Sequence, residues 1–264
     1  MRDLLSLNLT RVRNLFRMDL HRMLHGKAFY VMIGITVFIP VMMLTQMSAV
    51  RDITMFIGSE VVSGGSFGAG MNLSMLNILT GMLLCIYIGK EYSTGFIKNI
   101  ITAHANKYDY LVSKGMIALL CNIVFVAVYL ITLFVLGAVM GLPTEIPSIF
   151  GMVLYIIEKL LLSIPMSMLI IAINMIFRHS YGWSIVFTCI ASTGIVVISI
   201  QTGMQLLGFG TLANIFNFTI TGASVFTTTT PNLISLITVI LISITWTLIC
   251  SLIADFLMNK RDVL

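Results

Sequence analysis

Long unbroken apolar runs separated by short polar stretches make up the chain, and the length of those runs decides the fold class. A helix needs about 20 apolar residues to cross a hydrocarbon core of roughly 30 Å. Six runs of that order occur, over residues 28–49, 71–89, 115–140, 149–177, 182–200 and 232–254. They are continuous, whereas a membrane-spanning β-strand would show about ten residues of apolar and polar alternation. The pattern predicts an all-α membrane protein with six transmembrane helices.

Outside these runs the periodicity changes. In residues 1–27, Leu5, Leu9, Val12, Phe16, Leu20 and Met23 recur every third or fourth position, while Arg11, Arg13, Arg17, His21 and Arg22 occupy the rest of the helix surface. A basic amphipathic segment joined directly to a span reads as a helix lying in the cytoplasmic membrane interface. The chain thus divides into an interfacial helix, 1–27, and a six-span domain, 28–264.

The connection between the second and third runs has a similar character. Phe96, Ile97, Ile100 and Ile101 share one face of a short helix, with Lys98 and Asn99 to the side. A face of that kind needs a partner protein, the membrane surface or the N-terminal helix to cover it. The connection 201–231 differs, because it holds no Asp, Glu, Lys or Arg yet carries Leu206, Leu207, Phe209, Leu212, Ile215, Phe216, Phe218, Val225 and Phe226. Interrupted by Gly and Asn, it predicts short helices that dip back into the outer leaflet as a re-entrant loop, with protein covering the backbone.

Composition agrees with the pattern. The 264 residues are 58% hydrophobic and only 9% charged, against roughly 45–50% and about 25% in soluble domains. A cytosolic enzyme, a disordered chain and a purely nucleic-acid-binding protein are excluded. Charge placement adds direction, since thirteen of the fifteen Lys and Arg residues precede the first run, follow the last, or lie in the second and fourth connections. Basic loops stay inside, so both termini are expected in the cytoplasm of a bacterial cell, with the chain multi-pass in its plasma membrane. The first run follows a long basic segment and lacks a convincing small-x-small site, so it is expected to remain a span and not a cleaved signal.

Candidate chemistry is sparse. Gly64-Gly65-Ser66-Phe67-Gly68 matches the serine-hydrolase elbow G-x-S-x-G, but His21, His25, His104 and His179 fall on the opposite side of the membrane from Ser66. Cys85, Cys121, Cys189 and Cys250 stand singly in apolar stretches, so neither a disulfide nor a metal site is expected. No H-E-x-x-H zinc motif and no G-x-x-x-x-G-K-[ST] phosphate loop occurs, so the chain is not expected to be an enzyme or to hydrolyse ATP itself. Glu158 and Lys159 lie inside the fourth run. Counting about 20 residues back from Arg178 puts them at the outer headgroup boundary, with a buried functional pair as the alternative.

With these features in place, the whole chain resembles the membrane subunit of a type-2 ATP-binding-cassette (ABC) exporter. The local element is Glu91-x-x-x-Gly95 followed by Ile100-Ile101 and the basic Lys107 and Lys114, similar to the family's E-x-x-x-G-x-x-x-x-L-L element. Where the family often has proline after it, Ala103-His104-Ala105 stands here. The resemblance implies a permease paired with a second copy or a related permease, and a separate ATPase subunit that carries ATP and Mg. It also implies that Glu91, Gly95, Phe96, Lys98, Asn99, Ile100 and Ile101 form a coupling helix, docked with the interfacial helix on the ATPase. Leu207, Phe209, Leu212, Phe216 and Phe218 would contribute to an outer gate. Small permeases of this kind look most like exporters of amphipathic or antimicrobial peptides in Gram-positive bacteria, of the phenol-soluble modulin type. An ATP-independent carrier or channel, and a peptide-binding immunity scaffold, are the other readings.

Overall fold

The computed structural model describes residues 9–47, 55–56, 76–97, 107–140, 144–145, 149–177, 180–209, 214–226 and 233–260. In chain order these are α1 (Leu9–Leu24), α2 (Lys27–Met47), β1 (Met55–Phe56), α3 (Leu76–Ser93), α4 (Lys107–Met140), β2 (Thr144–Glu145), α5 (Ile149–Ile176), α6 (Tyr181–Thr193), α7 (Ile195–Leu206), a 3-10 turn (Asn214–Phe218), α8 (Ile220–Phe226) and α9 (Leu233–Lys260). Among the described residues the all-α expectation holds apart from one two-residue parallel ladder, in which Met55 opposes Thr144 and Phe56 opposes Glu145.

Among the described residues, three helices are long and apolar enough to cross a membrane, over Tyr108–Val139, Phe150–Ile176 and Ile234–Met258. The number rises to five if two bent pairs each count as one span. One pair is α1 with α2, bent by 67°, and the other is α6 with α7, bent by 45°. The second bend has a visible cause in Gly194, whose φ of 67° ends α6 in the left-handed conformation that glycine adopts without a Cβ clash. Past Ile200, where the fifth apolar run ends in the sequence, α7 continues to Leu206. Gln201 does not mark an exit to solvent because it is buried and donates from Nε2 to Asn217 Oδ1 at 3.3 Å.

The central helix is α5, packed against α3, α4, α6 and α9. One core cluster joins Met23 of α1, Phe29 and Met32 of α2, Leu79 and Leu83 of α3, Cys121 and Phe125 of α4 and Tyr155 of α5. A second joins Leu84 and Ile88 of α3, Tyr110 and Leu111 of α4, Ile170 and Met175 of α5 and Cys250, Ala254 and Met258 of α9. Outward faces are apolar too, as with Ile234, Ile237, Leu241, Ile244, Leu248 and Leu252 along α9. In a membrane protein both sides of a helix are matched to apolar surroundings, so the core is told from the outside by packing and not by hydrophobicity.

Candidate functional site

Four charged side chains from three helices meet where α1 crosses the junction of α3 and α4. On α1 the buried stripe runs Val12, Asp19, Met23 with Phe16 half-buried between them, so an acid occupies a core position of an amphipathic helix. On α3 the buried face runs Leu84, Ile88, Glu91, and on α4 it runs Tyr110, Lys114, Ile117, Cys121. Helical spacing therefore points all three charges inward, at one level, where apolar residues would be the default.

Their geometry compensates for the loss of water. Lys114 Nζ donates to Glu91 Oε1 at 2.6 Å and to Asp19 Oδ1 at 3.0 Å, and its side chain has no exposed surface. Glu91 also accepts from Arg22 Nη1 at 2.9 Å and from the Tyr110 hydroxyl at 2.8 Å. Asp19 also accepts from the Tyr87 hydroxyl at 3.0 Å and from Ser113 Oγ at 2.9 Å. Each carboxylate thus has three donors, and two cations balance two anions, the condition under which a buried ionic cluster is tolerated. The ammonium of Lys114 also lies 4.4 Å from the Tyr87 ring centre and 5.0 Å from that of Tyr110.

Arg22 is the part of this cluster that reaches the outside, with its side chain 32% exposed. Its guanidinium lies 4.2 Å from the Phe96 ring centre and 5.2 Å from that of Tyr87, close enough for attraction to both π faces. Phe96 follows directly on Gly95, whose φ of 68° turns the chain out of α3. Arg22 therefore holds the first residue of the segment leaving α3, while the same group grips Glu91 at the end of α3. Nearby in sequence, Asp109 in the first turn of α4 is fully buried, and neither carboxylate oxygen has a hydrogen-bond partner among the described residues.

The residues singled out from sequence are distributed unevenly. Glu91 lies inside the protein at 0% exposure, held by Lys114, Arg22 and Tyr110. Phe96 is half-buried against Arg22, whereas Arg11, Arg13 and Arg17 are exposed along α1. Lys98, Asn99, Ile100 and Ile101 lie outside the described residues, as does Leu212. Leu207, Phe209 and Phe218 are exposed and Phe216 is half-buried. The loop backbone is anchored by Trp246 Nε1 of α9 donating to the Phe218 carbonyl at 2.8 Å. Glu158 and Lys159 are both buried; Glu158 accepts from Ser235 Oγ at 2.6 Å, at the end of the bundle where α9 begins.

Sequence reasoning missed Asp19, and it read Lys114 as a marker of sidedness and as a basic residue following the Glu91-x-x-x-Gly95 element, not as a buried partner of Glu91. The available signal was Asp19's place on the apolar stripe between Phe16 and Met23, which demands a buried cation.

Residues 17–194 match a family described as "ABC-2 family transporter protein". That range contains Asp19, Arg22, Glu91 and Lys114, so the entire ionic cluster falls within it. No curated protein and no solved structure matches the chain.

Proposed function

The chain belongs to the ABC-2 transporter family, and from that premise we propose that it is the membrane subunit of an ATP-driven exporter of amphipathic or antimicrobial peptides. The family's permeases are membrane transport subunits whose ATPase is a separate protein. In this reading six spans, supplied by α2, α3, α4, α5, the bent α6–α7 pair and α9, face a second permease copy across the transport pathway. Both termini are cytoplasmic, and ATP with Mg resides on the ATPase.

The observation that carries the proposal is the ionic cluster. A motor subunit bound at the segment after Gly95 would push on Phe96, and Phe96 touches Arg22 of α1. Arg22, Glu91, Lys114 and Asp19 then form a continuous set of charge-assisted bonds joining α1, α3 and α4. Such bonds are short and directional, so the three helix ends respond to a push as one body. Contacts between apolar side chains alone would allow sliding. The loop anchored on Trp246, thirteen residues into α9 from Leu233, supports an outer connection that returns toward the bundle and serves as an outer gate.

The deciding experiment co-expresses the chain with candidate ATPase subunits and assays ATP-driven accumulation of an amphipathic peptide in inside-out vesicles. Wild-type permease should co-purify with one ATPase and accumulate peptide. Arg22→Gln, which changes the exposed end of the cluster, should keep ATP hydrolysis while peptide accumulated per ATP falls about tenfold. Undiminished accumulation per ATP in that variant would overturn the coupling role, and failure of any ATPase to co-purify would overturn the exporter reading.

A further inference from the structure

We propose that His21 and His25 form a two-imidazole site for a divalent transition-metal cation of the Zn2+ or Cu2+ class, at the elbow where α1 meets α2. The two residues are four apart and therefore stack one above the other on one helix face. Their rings do so, with centroids 4.0 Å apart and planes 20° from parallel, and both side chains are exposed.

The hydrogen bonding of His25 prepares it as a ligand. Its Nδ1 lies 2.9 Å from the His21 carbonyl oxygen. A carbonyl can only accept, so Nδ1 carries the proton and Nε2 keeps an available lone pair. An imidazole fixed through one nitrogen on a backbone carbonyl is the outer-shell arrangement that orients metal-binding histidines. Converging the two rings on one cation at about 2.0–2.1 Å needs rotation of the His21 ring about χ2, the broad and soft torsion of His, while His25 stays held on the carbonyl.

The chemistry of the donors selects the ion. Imidazole nitrogens favour Zn2+, Cu2+ and Ni2+ over Mg2+ or Ca2+, which prefer oxygen. Among the described residues no three His, Cys, Asp or Glu come together, so the remaining coordination positions belong to water and the ion exchanges. The flanking charges of Arg22 and Lys27 oppose a cation, but the Arg22 guanidinium is directed away toward Glu91, and the C-terminal dipole of α1 favours positive charge. A cation bridging residues 21 and 25 would brace the last turn of α1, the turn that carries Arg22.

The test uses the full chain in lipid nanodiscs titrated with Cu2+, with pulsed electron paramagnetic resonance counting the coordinated imidazoles and Zn2+ as competitor. Wild type should show two imidazoles on one ion. His21→Ala and His25→Ala should each leave one imidazole at most and weaken binding at least about tenfold, as loss of a ligand does. The His104→Ala/His179→Ala double variant should bind as wild type. One imidazole or none in wild type, two retained in either single variant, or loss of the signal in the double variant would each overturn the site. Both residues are exposed, so these substitutions remove no core contact.

Discussion

The ammonium of Lys114 lies 2.6 Å from Glu91 Oε1 with neither side chain exposed, and the same ammonium reaches Asp19 on a different helix. Removing it leaves two carboxylates buried against apolar helices. Lys114→Met is therefore expected to destabilise the protein by about 3–5 kcal/mol, the usual result of deleting one side of a buried ionic set. Adding Glu91→Gln and Asp19→Asn should recover most of that loss, because the buried groups are then neutral and the one charge left, Arg22, is partly exposed to solvent. Thermal unfolding in detergent, followed by size-exclusion chromatography, separates the cases. A single Lys114→Met variant that melts with wild type would show that the cluster contributes nothing to stability.

Arg22 makes a different prediction because it is partly exposed and works through shape as well as charge. A planar guanidinium can lie flat over Phe96 while donating in its plane to Glu91; a lysine ammonium keeps the charge but has no flat face to lay on the ring. Arg22→Lys should leave global stability nearly unchanged and loosen the hold on Phe96 by about 1 kcal/mol. In amide hydrogen exchange this appears as roughly fivefold faster exchange confined to Gly95, Phe96 and Ile97. Equal rates in the two proteins would mean that the ring contact does not restrain this segment.

Much of the helical architecture is legible in the sequence because run length reports long apolar helices directly, and because a 3.6-residue stripe marks α1. Packing partners are not legible, since lipid-facing and core-facing sides are equally apolar, as Leu241 and Val239 on α9 illustrate. The site was half legible. Glu91 stood out within a motif, but Lys114 and Asp19 acquired meaning only when helix crossing placed residues nearly a hundred positions apart within one hydrogen bond. The run boundary drawn at Gly115 also concealed the fact that α4 starts at Lys107 and buries Lys114 within its second turn.

The contact of α3 with α6 rests on small residues. Gly81, Cys85 and Gly89 recur at every fourth position of α3, and opposite them α6 buries Ser184, Thr188 and Ser192. Small side chains at that spacing let helix backbones approach closely in membranes. A Cβ on Gly89 would lie 2.6 Å from Tyr181 Cβ, and one on Gly81 would collide with Thr188 Cγ2. Gly89→Ala should therefore cost about 1–3 kcal/mol through overpacking. Gly34→Ala is the control, because a Cβ there meets nothing within 4 Å and sits inside α2. It should be neutral or stabilising by up to about 1 kcal/mol. Paired melting curves decide between them, and equal effects at the two glycines would remove the close-approach argument.

Gly95 isolates backbone direction from side-chain contact. Its φ of 68° is left-handed, yet nothing lies within 4 Å of where a Cβ would stand, so the space is free and only the conformation is restricted. Gly95→Ala is expected to cost about 1–2 kcal/mol locally, and Gly95→Asn less, because Asn visits the left-handed region more readily. The strain falls at the end of α3 and not in either core cluster, so melting temperature should move little. What changes is the angle at which Phe96 meets Arg22. In the proposed exporter that angle sets how a push from the ATPase enters the ionic cluster. Peptide accumulation per ATP should therefore fall in the order wild type, Gly95→Asn, Gly95→Ala. An Ala variant with wild-type accumulation would show that the left-handed turn serves only to end the helix.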